Sequence, residues 1–252
     1  MNRFIIIPVK EKHLGGIYLS GYQTIPVLCY HKFNEKDDSK LNISKQAFEE
    51  QIKYLKDNEF RSITLKALLD FFEYKKEIPE KSVLITIDDG FKSGYDVACQ
   101  ILLKYGFKAV FFIYTDYVGV SGKAMTWENL RELKKNGFEI GSHTLSHCDL
   151  TEQFQGESEE AYQKRIKREI WMSKKIIDKK LNQNTVSFSF PYGKSNPEVV
   201  DYVRSAGYKM GFTVTQGSNP FFSDTFTLKR YMILNSNKES FISKLRVFQP
   251  LY

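Results

Sequence analysis

His143 and His147 stand four residues apart in Gly141-Ser-His-Thr-Leu-Ser-His147, and Asp88 and Asp89 stand side by side at the end of Ser82-Val-Leu-Ile-Thr-Ile-Asp-Asp-Gly90. A histidine pair at i, i+4 is a usual way to hold zinc. If that turn is helical, both rings face one way. Two adjacent carboxylates suggest a metal ligand beside a base. One carboxylate added to the histidines makes a set of three protein ligands, which leaves open positions for water and substrate, as catalytic zinc requires. Each feature also has a plainer reading. The histidines can serve a capped, hydrogen-bonded turn. Asp is a favoured helix N-cap, and Phe91 to Tyr105 looks helical.

These side chains need elements to bring them together. Ser82 to Ile87 is a short run rich in β-branched residues, of the kind buried in parallel sheets. Asp is a poor strand residue, so Asp88 and Asp89 belong where the strand stops, with Gly90 supplying the bend. The same reading gives strands at Pro26–Tyr30, Phe60–Ile63, Ala109–Tyr114, Phe138–Ser142, Val186–Phe190, Tyr208–Val214 and Thr227–Leu234. Between them lie helices capped by Ser44 (inward Phe48, Ile52, Leu55), Thr64 (inward Leu68, Leu69, Phe72), Thr126 and Asn196. Gly106 and Gly137 close two helices, a long charged helix spans Ser158 to Lys180, and a last one lies near Glu239 to Val247. Strand–helix alternation implies a mainly parallel α/β sheet, open or closed. In such folds the C-terminal strand ends share one face. His31, Asp88, Asp89, His143 and Tyr192 all follow strands and are expected to converge there.

The 252 residues suit one large domain. A net charge of +7 is spread over lysine pairs such as Lys134-Lys135 and Lys179-Lys180, which read as solvated helix faces. No nucleic-acid partner is implied. Cys29, Cys99 and Cys148 are too few and too scattered for a disulfide framework; Cys29 and Cys148 read as small buried filler. No apolar run approaches the roughly 18–20 residues of a membrane span. Phe4-Ile-Ile-Ile-Pro-Val9 is shorter than a secretory signal core of roughly 7–15 apolar residues, so no signal peptide is visible.

Thr86-Ile-Asp-Asp-Gly90 resembles the first motif of the polysaccharide deacetylases, carbohydrate esterase family 4. Ser142-His-Thr-Leu-Ser-His147 resembles their second, and Phe190-Pro-Tyr-Gly193 their third, in the family's order. The resemblance covers most of the chain, from about Pro26 to Phe248. It implies a distorted (β/α) barrel of about seven parallel strands in a single domain, with residues 1–25 an N-terminal extension and 26–252 the catalytic domain. It further implies Asp89, His143 and His147 as ligands of one divalent metal and Asp88 as the base. The backbone N–H of Tyr192 is implied as an oxyanion donor. Zinc is the first choice, with nickel or cobalt compatible.

Two positions depart from the family pattern. The arginine that usually stands two residues before the proline of the third motif is Ser189 here, and no histidine occurs near Ile233-Leu-Asn-Ser236, where a late Leu-x-His motif belongs. However, Val27-Leu-Cys-Tyr-His-Lys-Phe33 resembles the early Tyr-His motif of the branch acting on poly-β-1,6-N-acetylglucosamine. That assigns the general acid to His31, since His143 and His147 are taken by metal and His13 sits in a polar segment. Arg230 is the candidate for the missing arginine, a plain ion pair being the alternative. The expected activity is metal-dependent N-deacetylation of an acetylated polysaccharide by a monomer, outside the cell or at its surface as the family implies. The rivals are an O-acetyl esterase of acetylated xylan and a non-catalytic glycan-binding relative.

Overall fold

Short apolar runs alternate with amphipathic ones along this chain, and in the computed structural model they become strands and helices in that order. The structure describes residues 10–14, 17–34, 39–74, 76–234 and 237–251. The first elements are β1 (Lys10–Leu14), β2 (Ile17–Ile25), β3 (Val27–Tyr30), β4 (Lys32–Phe33), β5 (Asn42–Ile43), α1 (Lys45–Asp57) and β6 (Arg61–Ser62). There follow α2 (Leu65–Phe72), β7 (Ser82–Ile87), α3 (Cys99–Tyr105), β8 (Val110–Ile113), α4 (Trp127–Lys135), β9 (Glu139–Ser142) and α5 (Glu159–Leu181). The chain continues through β10 (Ser187–Ser189), α6 (Pro197–Ser205), β11 (Met210–Phe212), β12 (Asn219–Pro220), β13 (Tyr231–Met232), α7 (Lys238–Ser243) and β14 (Phe248–Pro250).

The capping residues explain where helices begin. Ser44, Thr64, Ser158 and Asn196 each accept from the backbone N–H three residues on, and Thr126 forms a capping box with Asn129. Such a cap contributes about 1 kcal/mol. The helix expected over 91–105 differs: residues Gly94–Ala98 form a π-helical turn before α3. The last helix stops at Ser243, short of Val247, because the chain next turns into β14 and pairs with β2.

Seven strands, in the order β11-β10-β9-β8-β7-β3-β13, pair in parallel as one curled sheet. Its two edges are linked by one segment. Leu228 N–H donates to Gly211 O, Thr213 N–H to Leu228 O (both 2.9 Å) and Arg230 N–H to Thr215 O (3.0 Å), and then Tyr231 and Met232 pair with Leu28 and Cys29. The expected strand over 227–234 is therefore split between two neighbours. This is the distorted (β/α) barrel, in a single domain.

β2 pairs antiparallel with β1, β12 and β14 in a second sheet, so residues 17–25 are knitted to the last strand described. Residues 1–9, with their apolar run, the side chain of His13, and Asn235 and Ser236 of the late-motif position lie outside the described residues.

Alternation along the strands builds two apolar layers and one polar pocket. Leu28, Tyr30, Ile85, Ile87, Phe111 and Ile113 pack under the helices, while Val27, Leu84, Val110, Phe112, Met210 and Phe212 meet inside the barrel. Leu68 and Phe72 of α2 join the inner group. Continuing the period of two, the inward positions towards the C-terminal strand ends are Cys29, His31, Thr86, Asp88, His143 and Ser189. Gly141 precedes this polar layer because the Phe112 ring fills the space: a Cβ there would lie 2.4 Å from it.

Candidate active site

Asp88 is the most completely held of these residues. It is 1% exposed, and Arg230, fully buried, donates from Nη1 to its Oδ1 and from Nη2 to its Oδ2, both at 2.8 Å. Arg230 Nη2 also donates to Ser189 Oγ at 2.8 Å, and Ser189 Oγ donates to Asp88 Oδ2 at 3.0 Å. Arg230 Nη1 reaches Thr86 Oγ1 (3.1 Å), and its Nε donates to Thr213 O (2.8 Å). Burial pushes the Asp88 carboxyl up, but the Arg230 charge, with His143 beyond it, outweighs burial and holds it below its usual range.

Asp89 is turned toward the two histidines instead. It turns through a left-handed backbone (φ 73°), as does Gly90 (φ 73°), so the bend expected of the glycine is shared by both residues. Its Oδ1 lies 3.4 Å from His143 Nε2 and 3.4 Å from His147 Nε2, yet accepts no hydrogen bond among the described residues. Burial raises the Asp89 carboxyl, and the two imidazoles reverse this and hold it far below the usual range.

The histidine turn is not helical. Thr144 (φ 74°) and His147 (φ 64°) are left-handed, and residues 143–147 contain no helix. The rings converge all the same, 4.7 Å apart, because the backbone folds back on itself. His143 Nδ1 bonds Ser189 O at 2.7 Å, which makes Nδ1 the donor and turns Nε2 toward Asp89. Tyr114 and Tyr192 flank the His147 ring at 5.3 and 4.8 Å.

These three residues fit a metal ion. Tetrahedral ligands at about 2.0–2.1 Å from zinc stand roughly 3.4 Å from one another, which is the Asp89–histidine spacing. Their ligand atoms all lie within 4.8 Å of one another, and an orphaned buried carboxylate oxygen is what a cation would satisfy.

His31 lies within the same pocket, 8% exposed, with one ligand atom within 4.8 Å of donor atoms on Asp88 and Cys29. Its Nδ1 has no partner among the described residues. Burial lowers its basicity, against the pull of Asp88 and Asp89. Cys29 is fully buried, and burial pushes its thiol far up, so it is present as thiol. Cys148 is half-buried near Arg165. Tyr192 sits in a left-handed conformation (φ 58°) at the rim and is 61% exposed. Left-handed non-glycine residues cost about 1–3 kcal/mol each and gather at functional sites; Asp89, Thr144, His147 and Tyr192 do so here.

The sequence reading passed over Thr86, over the Ser189 hydroxyl as a bridge, and over Glu169. The signal for Glu169 was present: it falls on the buried stripe of α5 with Tyr162, Ile166, Ile170 and Ile177, where a charge is out of place.

The fold and these three motif ends are like those of the polysaccharide deacetylase family. Residues 75–211 match the polysaccharide deacetylase family, and the chain belongs to it. The Bacillus subtilis (strain 168) protein YxkH is 33% identical over 194 residues, which are 77% of this chain and 66%, just under two thirds, of YxkH. The poly-beta-1,6-N-acetyl-D-glucosamine N-deacetylase of Staphylococcus aureus (strain MRSA252) is 27% identical over 85% of this chain and 76% of its own. The Streptococcus pyogenes deacetylase PplD, solved in complex with acetate, superposes with a TM-score of 0.81 at 25% identity, over 89% of this chain and 99% of that one.

Proposed function

We propose that this protein is a metal-dependent N-deacetylase of an N-acetylglucosamine-containing polysaccharide, of the poly-β-1,6-N-acetylglucosamine type. The observation that carries the reading is the division of labour between adjacent carboxylates: Asp88 locked by Arg230, and Asp89 aimed with His143 and His147 at one point. The relative from Staphylococcus aureus supports the substrate class.

Asp89, His143 and His147 would hold one divalent ion, zinc first and nickel or cobalt next, which when bound supplies positive charge to polarise the amide carbonyl and to acidify water. Asp88 takes the proton of the attacking water on a carboxylate oxygen. Its low pKa makes it a weak base, adequate for an acidified water and always ionised at neutral pH. Arg230 and Ser189 fix its rotamer, so it is placed before substrate arrives. The backbone N–H of Tyr192 donates to the oxyanion. His31 protonates the departing amine nitrogen, without which the C–N bond does not break easily. The aromatic rim of Tyr114 and Tyr192 gives a sugar ring apolar faces beside the His147 ring. The catalytic unit is read as residues 26–252, with β2 as its support.

The test is acetate release from poly-β-1,6-N-acetylglucosamine and from acetylated xylan, with and without chelator. Release from the N-acetyl glycan, abolished by chelator and restored by zinc, is the expected result. Release from xylan alone points to an O-acetyl esterase, and glycan binding without release to a non-catalytic relative.

A further inference from the structure

The turn carrying His143 and His147 belongs to no regular element. It reverses through Thr144 and His147, both left-handed, and such a backbone persists only where its surroundings over-determine it. On one side, Thr115 N–H donates to Thr144 O (3.2 Å) and Asp116 N–H to Leu145 O (2.8 Å). On the other stands Glu169 of α5, 5% exposed. Its Oε2 accepts from Leu145 N–H and Ser146 N–H, both at 3.0 Å, and its Oε1 accepts from Ser146 Oγ at 2.9 Å. Both residues lie between the two histidines in sequence. A buried carboxylate is costly unless its oxygens are hydrogen-bonded. Among the described residues Glu169 forms no ion pair, so the turn itself satisfies it.

We propose that Glu169 is a positioning residue for the metal centre: by anchoring the 145–146 backbone it sets the spacing of His143 and His147, and with it the affinity for the cation. The proposal rests on the reading of Asp89, His143 and His147 as ligands. Glu169 acts here as an acceptor and not through its charge. A glutamine at 169 offers its carbonyl oxygen to both N–H groups and its amide N–H to Ser146 Oγ. An aspartate falls one methylene short, and an alanine offers nothing.

The measurement is zinc affinity of the purified full chain, by competition with a chromophoric chelator, with circular dichroism and thermal midpoint alongside. Glu169→Ala and Glu169→Asp weaken zinc binding about 10–100-fold, the usual effect of removing a group that orients ligands. Glu169→Gln stays within a few-fold of wild type. A merely structural role would lower the thermal midpoint and leave the affinity of the folded protein unchanged. If Glu169→Ala does not fold, the Asp and Gln variants decide. Wild-type affinity in a folded Ala or Asp variant overturns the proposal. So does a Gln variant that loses as much as the Asp variant, because charge would then be what counts. His147→Ala is the control: if it too binds zinc as wild type does, the ligand assignment has failed and not the anchor.

Discussion

Arg230 and Asp88 meet through two parallel hydrogen bonds of 2.8 Å inside the barrel, neither residue more than 1% exposed. Asp88 directly follows β7 and Arg230 immediately precedes β13, and in the sheet only β3 stands between these two strands. Ser189 stands where the family pattern has an arginine. Its small side chain leaves room for the Arg230 guanidinium, and its hydroxyl bonds both partners.

Removing Arg230 would leave a buried carboxylate uncompensated, which costs about 3–5 kcal/mol. Arg230→Ala should lose that much stability in urea unfolding, raise the Asp88 pKa and lose most turnover. Arg230→Lys should rescue little, because one ammonium cannot span two carboxylate oxygens as the guanidinium fork does. An Arg230→Ala protein as stable and active as wild type would show that the pair is incidental.

The adjacent aspartates should separate by mutation. Asp89→Asn removes a ligand and should empty the site, as should His143→Ala. Asp88→Asn should keep about one metal per chain while losing roughly 10²–10⁴-fold in turnover, the usual worth of a general base. Elemental analysis beside acetate release reads both, and the opposite pattern would mean that the roles are exchanged.

Acid should destabilise the chelated protein in a defined window. Asp88 and Asp89 both have folded pKa values below the unfolded value of about 3.9. Depressed carboxylates bind fewer protons folded than unfolded, so their stabilisation is present above that value and lost as pH falls through it toward the folded pKa. The thermal midpoint should therefore drop steeply below about pH 4. Asp89→Asn should flatten that drop; an unchanged slope would count against the burial and pairing described for Asp89.

How much of this was legible beforehand follows from which physics each residue obeys. Strands ending near Tyr30, Ile87, Ser142 and Phe190 are written in short apolar runs, and helix starts in caps such as Ser44 and Thr126, so a parallel α/β sheet and the convergence of His31, Asp88 and His143 could be reasoned out, whereas closure into a barrel followed only from the family resemblance. The shape of the histidine turn could not, since i, i+4 spacing implies a helix and the left-handed Thr144 and His147 depend on anchors contributed by Glu169 and residues 115–116. Arg230 was a candidate only. A guanidinium in Leu228-Lys-Arg-Tyr231 reads the same whether it faces solvent or, as here, closes the barrel. The pairing of β2 with β12 and β14 joins residues about 200 positions apart, beyond any local pattern.

His31 supplies the last and most informative test. Cleaving an amide needs a proton at nitrogen, and only a protonated imidazole gives one efficiently. Burial lowers the His31 pKa below its usual value near 6.5, with Asp88 and Asp89 opposing. The acid form thus fades as pH rises through a value at or below that range, and turnover of an N-acetyl substrate should fall on this alkaline limb. Its descent belongs to His31, whereas Asp88, held below its usual carboxylate range by Arg230, sets the acidic side. His31→Ala should fold, keep its metal, lose the alkaline limb and lose roughly 10²–10⁴-fold in turnover of the N-acetyl glycan. On an aryl acetate, whose leaving group needs no proton, the loss should be much smaller. That contrast separates a proton donor from a residue that merely fills the barrel mouth, which would lower both rates alike. A metal-loaded His31→Ala protein that cleaves the amide at near wild-type rate, with its alkaline limb intact, would place the donor elsewhere.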